Sequence, residues 1–382
     1  MIDKLIRKHF KDFEPYRSAR SEVSALNGNS GKEIFLDANE LSTGSPVSYQ
    51  SLHLNRYPDP LQLELRGRLA QRLGVALDEV FLGVGSDEII DLLIRLFCEP
   101  GTDRVVILGP TYGVYRVAAN VNAVGVTGVE LDGQFQIDLA ATLGATLGTT
   151  LGATLGATLG ATLGATGGAL EPAKLLFCCS PNNPTGNLLR PEDIQKLCRQ
   201  FKGIVVVDQA YIDFSASEKA DGTRSLIDGR AGMENLVLLR TLSKGWGLAG
   251  IRLGYCVAHP SVVSYLLRIK SPYNINSVTS RIALNALEKE GFLRASARSV
   301  TEERERLKKR LQVLAEVVRV YPSDANFLLV EFHDSAKAFE RLKAAGIIVR
   351  RRGEPRLQNC LRITVGAPAE NTLLLQALQG DS

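Results

Sequence analysis

The stretch RTLSKGWGLAGIRLGY, Arg240 to Tyr255, isolates one lysine, Lys244, from every other charge within three residues on either side, with Arg252 eight residues on. A lysine that only solubilises a surface usually sits among other charges. This one follows ENLVLLRT, an apolar run that reads as a buried strand. Two readings fit the position. In one, Lys244 is a loop residue beside a tight helix–strand contact that needs small neighbours. In the other it is a desolvated amine for carbonyl chemistry, with Ser243 and Arg252 holding an anion nearby.

Other polar residues stand at the ends of apolar runs. Asp208 closes IVVVD, where a buried carboxylate is costly without a cationic partner such as a protonated ring nitrogen; alternatively it caps the next loop. Tyr211 follows three residues later and offers a phenol to the same ligand. Asn183 lies in SPNNPTGN, where flanking prolines set the turn, although such a sequence also occurs as a plain turn. GVGSDE places Ser86 and Asp87 at a predicted helix start, where free N–H groups attract phosphate. It is not a dinucleotide loop, because Asp87 and Glu88 fill the positions that follow. An amine, a buried carboxylate, an amide, a phenol and a phosphate-ready helix end together match the needs of pyridoxal phosphate.

The elements that must hold these groups alternate. LQLELRGRLAQRL (61–73) reads as an amphipathic helix, and VFLGVGSDEIIDLLIRLFCEPG as strand, turn and a helix from near Ser86 to before Pro100. DRVVILGPTYGVYRVAAN, KLLFCCSPNNPTGN, PEDIQKLCRQF, GIVVVDQAY and NLVLLRTLSK continue the pattern, with EIFLDAN as an earlier strand. Apolar strands alternating with helices predict a parallel sheet covered on both faces. After Pro272 the texture changes. VTEERERLKKRLQVLAEVV predicts one long charged helix, followed by ANFLLVEF, AKAFERLKAAG, IIVRRR, LRITVG and NTLLLQALQ as a smaller α/β unit. Between Ala141 and Leu170 the chain repeats ATLG. Each glycine costs a helix about 1 kcal/mol against alanine, so the stretch reads as filler, a poor helix or a loop.

Bulk properties exclude several classes. The 382 residues suffice for two domains, and 45 basic against 41 acidic residues, a net +4, leave no basic tract for nucleic acid. VRRRGEPR (349–356) is the densest basic run; it reads as a solvated loop or as a seat for a phosphate or carboxylate. Six cysteines without a C-x-x-C pair and four scattered histidines argue against a metal site and for reduced thiols in the cytosol. No stretch reads as a membrane helix, and MIDKLIRKHFKDFEPY lacks the apolar core of a signal peptide.

The order SPNNPTG, DQAY, TLSKGWGLAGIRLG is similar to the fold-type I pyridoxal phosphate aminotransferases. LDANE, NRYPDP, GVGSDEIIDLLIRLFCEPG, PTYGVY, ANFLLVEF and LRITVGAPAEN resemble the histidinol-phosphate aminotransferase family in particular, from about residue 35 to the end. The resemblance implies an α/β fold: an N-terminal arm (1–50), a large cofactor-binding domain (51–275) with a mostly parallel, seven-stranded-type sheet between helices, and a smaller C-terminal α/β domain (276–382). It implies that Lys244 forms the Schiff base, Asp208 pairs with the pyridinium, and Asn183 and Tyr211 bind the ring hydroxyl. Tyr112 would stack on the ring, and Ser86, Asp87, Ser243 and Arg252 would surround the phosphate. Tyr57 would reach the neighbouring subunit's phosphate in a homodimer with shared sites. Arg362 and Arg350 would bind the substrate's anionic end, with Asn39 in the substrate-side loop. Histidinol phosphate and glutamate or 2-oxoglutarate are the implied substrates, with neither nucleic acid nor membrane as partner. An aromatic aminotransferase or a threonine-phosphate decarboxylase would share every cofactor residue, and a chain that binds cofactor without turnover is a further alternative. Three departures stand out. Asn39-Glu40-Leu41-Ser42 replaces the family's N-E-N-P, Gln209 replaces its glutamate, and the ATLG repeat lengthens the segment before CCSPNNPTG.

Overall fold

The computed structural model describes residues 2–6, 52–148, 171–215 and 226–379. The predicted strand EIFLDAN, Asn39, and the repeat beyond Gly148 lie outside the described residues.

Helix α1 (Leu63–Leu73) leads into strand β1 (Val80–Val84) and helix α2 (Gly85–Phe97). There follow β2 (Arg104–Gly109), α3 (Val114–Val121), β3 (Gly125–Glu130), α4 (Leu139–Leu147), β4 (Leu175–Cys179), α5 (Pro191–Gln200), β5 (Ile204–Asp208), β6 (Leu236–Thr241) and β7 (Leu253–Ala258). These strands form one sheet in the order β1-β7-β6-β5-β4-β2-β3. All neighbours are parallel except at β7, which runs against both β1 and β6. The reversed strand is the glycine-broken run after Lys244, which strand patterning had not marked; β3 was likewise unmarked.

Alternation along the strands divides the core. Phe177, Cys179, Val206 and Leu239 face α2, α3 and the helix α6 (Pro260–Ile269), while Cys178, Val205, Val207 and Leu238 face α4 and α5. Asp208 follows Val207, so its side chain takes the same face as Cys179, its register partner on β4.

The second sheet is antiparallel: β8 (Val317–Val320), β9 (Phe327–Phe332), β10 (Arg350–Arg351) and β11 (Cys360–Thr364), in the order β10-β11-β9-β8. Between the sheets run α7 (Ser277–Leu287) and α8 (Glu290–Leu311); α9 (Ser335–Ala344) and α10 (Pro368–Gln379) cover one face of the second. Ala283, Leu287 and Leu293 pack beside α1 and β1, whereas Leu307 and Leu311 pack under the second sheet, so the passage between cores runs along α8. That helix stops at Leu311, short of the predicted QVLAEVV. The β-branched run Val317–Val320 instead pairs with β9, where half-buried pleated positions suit such side chains. IIVRRR contributes only the two residues of β10.

Of the two readings of the ATLG repeat, a poor helix or a loop, its start takes the helical one. Its first units form α4, because Asp138 Oδ1 caps the helix by accepting from Ala141 N (2.9 Å), worth about 1 kcal/mol. Gly148, at φ 76°, ends it, and Thr142, Ala145 and Thr146 are buried.

The two bodies touch through polar clasps. Arg356 Nη2 donates to Asp132 O (2.7 Å) and its guanidinium lies over the Phe135 ring; Asp324 N donates to Gly186 O (2.7 Å).

The approach of β7 to the start of α2 is tight. A Cβ at Gly254 would lie 2.3 Å from Ser86 N, and one at Gly67 in α1 would meet nothing within 4 Å. Gly254→Ala is expected to cost at least about 1–3 kcal/mol by forcing the backbones apart. Gly67→Ala is expected to be stabilising by about 1 kcal/mol through helix propensity. Denaturant midpoints of the two variants check both signs.

Candidate active site

The parallel strands β2, β4, β5 and β6 all end on one edge of the large sheet, the edge where open α/β sheets bind ligands. Because β7 is reversed, its beginning lies there too, and this brings Arg252 to the same edge as Asp208 and Lys244. A pocket of about 110 Å³ opens on that edge. It is lined by Ser86, Asp87, Tyr112, Asn183, Asp208, Tyr211, Ser243, Lys244 and Arg252, which the sequence marked, and by Gly85, Cys179, Ala210 and Thr241, which it did not.

Asp208 forms the floor, 3% exposed. Its Oδ2 accepts from the Tyr115 hydroxyl (2.8 Å) and its Oδ1 from Ala210 N (3.0 Å). Burial nevertheless raises the carboxyl above its usual range, against the lowering by these bonds and by Lys244, with Asp87 adding to the rise. A cation set against this carboxylate would relieve that cost.

Lys244 stands above it with its side chain open to solvent, its Nζ 5.7 Å from the centroid of the Tyr211 ring. Desolvation first, then the Arg362 guanidinium, hold its amine below the ordinary lysine value. Tyr211 is itself fixed edge-on to Phe327 of the second sheet (5.1 Å).

The two asparagines of PNNP divide their work. Asn182 ties the turn together: its Nδ2 donates to Pro110 O (2.9 Å) and its Oδ1 accepts from Thr111 Oγ1 (2.8 Å). Asn183 is left for the pocket. Its Oδ1 accepts from Arg362 Nη1 (2.6 Å), which orients the amide nitrogen away from that arginine.

At the other end, Ser86 and Asp87 occupy the first turn of α2, and Gly85 adopts φ 73° beneath the arginine. The left-handed backbone at Gly85 strains any side chain, and a Cβ there would lie 2.7 Å from Arg252 Nη2 and displace it. Arg252 Nη2 bonds Asp87 Oδ2 (3.3 Å), and Asp87 Oδ1 accepts from Tyr112 OH (3.2 Å). Both partners of the ion pair are close to half-exposed, so it contributes no more than about 1 kcal/mol and leaves the guanidinium available to another anion. Ser243 N donates to Thr241 Oγ1 (3.1 Å), which turns the chain at the end of β6.

Arg362 adjoins the pocket from β11. It faces the large body because it shares the parity of Cys360 and is the register partner of Leu329. Its Nε is buried without a hydrogen-bond partner among the described residues. Arg350, on β10, is the cross-strand partner of Arg362 and is exposed. Tyr57 lies outside the pocket lining, half-exposed and stacked on Tyr273 at 4.5 Å. Gln209 accepts from Arg240 Nε (3.0 Å), both residues buried, so a neutral amide takes the place of a buried acid there. Tyr115 was missed as a site residue. It sits in PTYGVY, three positions after Tyr112, but only the stacking of its ring on Phe177 of β4 brings its hydroxyl to Asp208.

The family model for class I and II aminotransferases matches residues 35–378, and the chain belongs to that family. Two relatives place it more narrowly. The histidinol-phosphate aminotransferase of Parabacteroides distasonis is 43% identical over 376 residues, covering 98% of this chain and 97% of the relative. That of Bacteroides thetaiotaomicron is 40% identical, covering 99% and 98%. Among solved structures, the histidinol-phosphate aminotransferase from Sinorhizobium meliloti in complex with pyridoxal-5'-phosphate aligns with a TM-score of 0.71 at 24% identity, over 85% of this chain and 82% of that one. The L-threonine-O-3-phosphate decarboxylase from Porphyromonas gingivalis aligns at 0.67 and 22%, over 85% and 93%. The shared fold therefore does not by itself separate the two chemistries.

The depressed amine is testable directly. Removing the neighbouring cation in Arg362→Leu leaves desolvation but lifts the repulsion, so the Lys244 amine becomes more basic. The pH dependence of its trapping by a small aldehyde and borohydride, read by peptide mass, is expected to move to higher pH in that variant.

Proposed function

We propose that this chain is a pyridoxal phosphate-dependent aminotransferase converting L-histidinol phosphate and 2-oxoglutarate into imidazole acetol phosphate and L-glutamate, in histidine biosynthesis. The relatives named above support the substrates. The observation that carries the reading is the joint position of Lys244 and Arg362: a depressed amine beside a half-used guanidinium, with a second arginine across the strand.

The residues fit the cofactor. A buried carboxyl that stays raised despite Lys244 nearby suits a pyridinium, and the Gly85 cradle at the start of α2 suits a phosphate. Asp208 would pair with the ring nitrogen, and Asn183 and Tyr211 with the ring hydroxyl. Tyr112 would cover the ring face, while Ser86, Asp87, Ser243 and Arg252 would surround the phosphate. Lys244 would hold the group covalently. When bound, pyridoxal phosphate supplies a carbonyl for the substrate amine and a conjugated ring that accepts the electron pair left on carbon.

The remaining chemistry belongs to the protein. The lowered proton affinity of Lys244 leaves more neutral amine near neutral pH, so Nζ serves as base toward the amine-bearing carbon and returns the proton as acid. Arg362 offers its Nε and the rest of its planar fork to glutamate's carboxylate or to the phosphate ester, and both anions match that geometry. Arg350 adds charge where a phosphate carries two. Asn39, within the altered Asn39–Ser42 segment, is proposed to bind substrate.

We further propose a homodimer in which Tyr57 serves the neighbouring site, in keeping with its place outside its own pocket. The chain would divide into an arm (1–50), a cofactor-binding domain (51–275) and a C-terminal domain (276–382), with α7 and α8 linking the last two. A cytosolic location is supported by six free, buried cysteines. No helix among the described residues is long and apolar enough to cross a membrane.

Borohydride reduction of the cofactor-loaded protein is expected to label the peptide carrying Lys244, and Lys244→Ala to lose turnover; a label elsewhere would remove the assignment. Mixing Tyr57→Ala with Lys244→Ala is expected to restore activity in mixed dimers, each holding one intact site. For substrate choice, the glutamate and histidinol phosphate half-reactions are followed by the cofactor's absorbance. Arg350→Ala is expected to impair histidinol phosphate more than glutamate, and Arg362→Lys to impair both about ten- to a hundredfold, the usual worth of a charge-assisted bond. Should the parent protein prefer phenylalanine to histidinol phosphate, an aromatic aminotransferase is the correct assignment.

A further inference from the structure

We propose that Tyr115 is a positioning residue for Asp208, its hydroxyl fixing the carboxylate so that the remaining lone pairs point at the cofactor's ring nitrogen. This rests on the reading of Asp208 as the ring-nitrogen partner.

Tyr115 is fully buried. Its ring cannot swing: it is stacked on Phe177 (4.9 Å, 12°) and meets Tyr112 edge-on (5.6 Å, 85°). The hydroxyl donates to Asp208 Oδ2 at 2.8 Å, while Ala210 N donates to Oδ1 at 3.0 Å. One donor on each oxygen fixes the plane of the carboxylate, and the donors come from different elements, α3 and the turn after β5. A carboxylate has about four acceptor directions, so sites remain for a third donor.

The groups facing Asp208 are Asp87, Lys244, Tyr115, Tyr112, Cys179 and Tyr211. Burial raises all three phenols and pushes the Cys179 thiol up to about 12, so these four stay neutral. Tyr115 therefore remains a donor throughout the working range. Its bond is the largest influence holding the Asp208 carboxyl down against desolvation. A less basic Asp208 leaves the proton on the ring nitrogen, which keeps the ring an effective electron acceptor.

The test uses the full-length apoprotein and pyridoxal phosphate, titrated by absorbance from acid to neutral pH. In the parent, affinity falls on the acid side as Asp208 takes up a proton. Tyr115→Phe deletes only the hydroxyl. It is expected to move that fall to higher pH and to weaken binding at neutral pH roughly ten- to a hundredfold, the usual worth of a hydrogen bond to a charge. A merely structural tyrosine would lower the melting temperature and leave the acid limb where it was. Incorporating 3-fluorotyrosine at position 115 makes a stronger donor of nearly the same size and is expected to move the limb to lower pH, which decides the matter if Tyr115→Phe does not fold. An unmoved limb in the folded Tyr115→Phe protein, or with fluorotyrosine, overturns the role of Tyr115 alone. Parent-like affinity and pH dependence in Asp208→Asn overturns the reading of Asp208, and the role of Tyr115 with it.

Discussion

A single buried carboxylate constrains the rest of the site. Taking an ion such as Asp208 out of water costs several kcal/mol unless other groups replace the lost hydration. The protein replaces it only in part. Tyr115 and Ala210 each give one hydrogen bond, and Lys244 lies near enough to lower the carboxyl's proton affinity, yet desolvation still wins. That unrelieved balance is what a bound cation would complete. It also explains why neutral groups held neutral by burial surround the floor of the pocket: another charge of either sign would shift the carboxylate away from that balance.

The anion end depends on a different constraint, the reversal of β7. A strand parallel to its neighbours would have delivered the residue before it, Arg252, to the opposite edge of the sheet. Running backwards, β7 begins where β5 and β6 end. Gly254 then allows β7 to press against the backbone at the start of α2, and Gly85 N bonds Arg252 O at 2.9 Å. The helix start, its free N–H groups and the arginine are thereby fixed relative to one another by main-chain contacts, which are stiffer than the half-exposed Arg252–Asp87 pair.

Arg362 links this pocket to the second sheet. One of its nitrogens orients Asn183 of the large body, while its Nε has no hydrogen-bond partner among the described residues. A group that orients a cofactor-side amide and also faces the substrate ties substrate binding to the placement of the two bodies. The Arg356 clasp and the Asp324–Gly186 bond set that placement at a distance from the chemistry. Nε buried without a hydrogen-bond partner is destabilising in isolation, by about 1–3 kcal/mol for an ordinary buried donor and more for a charged one. An anionic ligand is the natural remedy.

Local pattern alone was enough for much of this. The isolation of Lys244, the acid ending IVVVD, the phosphate-ready GVGSDE start and the alternation of apolar strands with helices are all chemical facts about short stretches, and each is found where those stretches implied. Three things depended on the tertiary structure. The direction of β7 is invisible locally, because an apolar strand reads the same whichever neighbour it pairs with. Val317–Val320 left the predicted helix because the edge of the second sheet offered its β-branched residues a better place than another helical turn did. Tyr115, finally, looks like any buried aromatic in PTYGVY. It becomes the donor to Asp208, ninety-three residues away in the chain, only when its ring stacks on Phe177 of β4. Residue type determines what chemistry a side chain can do, whereas long-range packing decides which other group it meets.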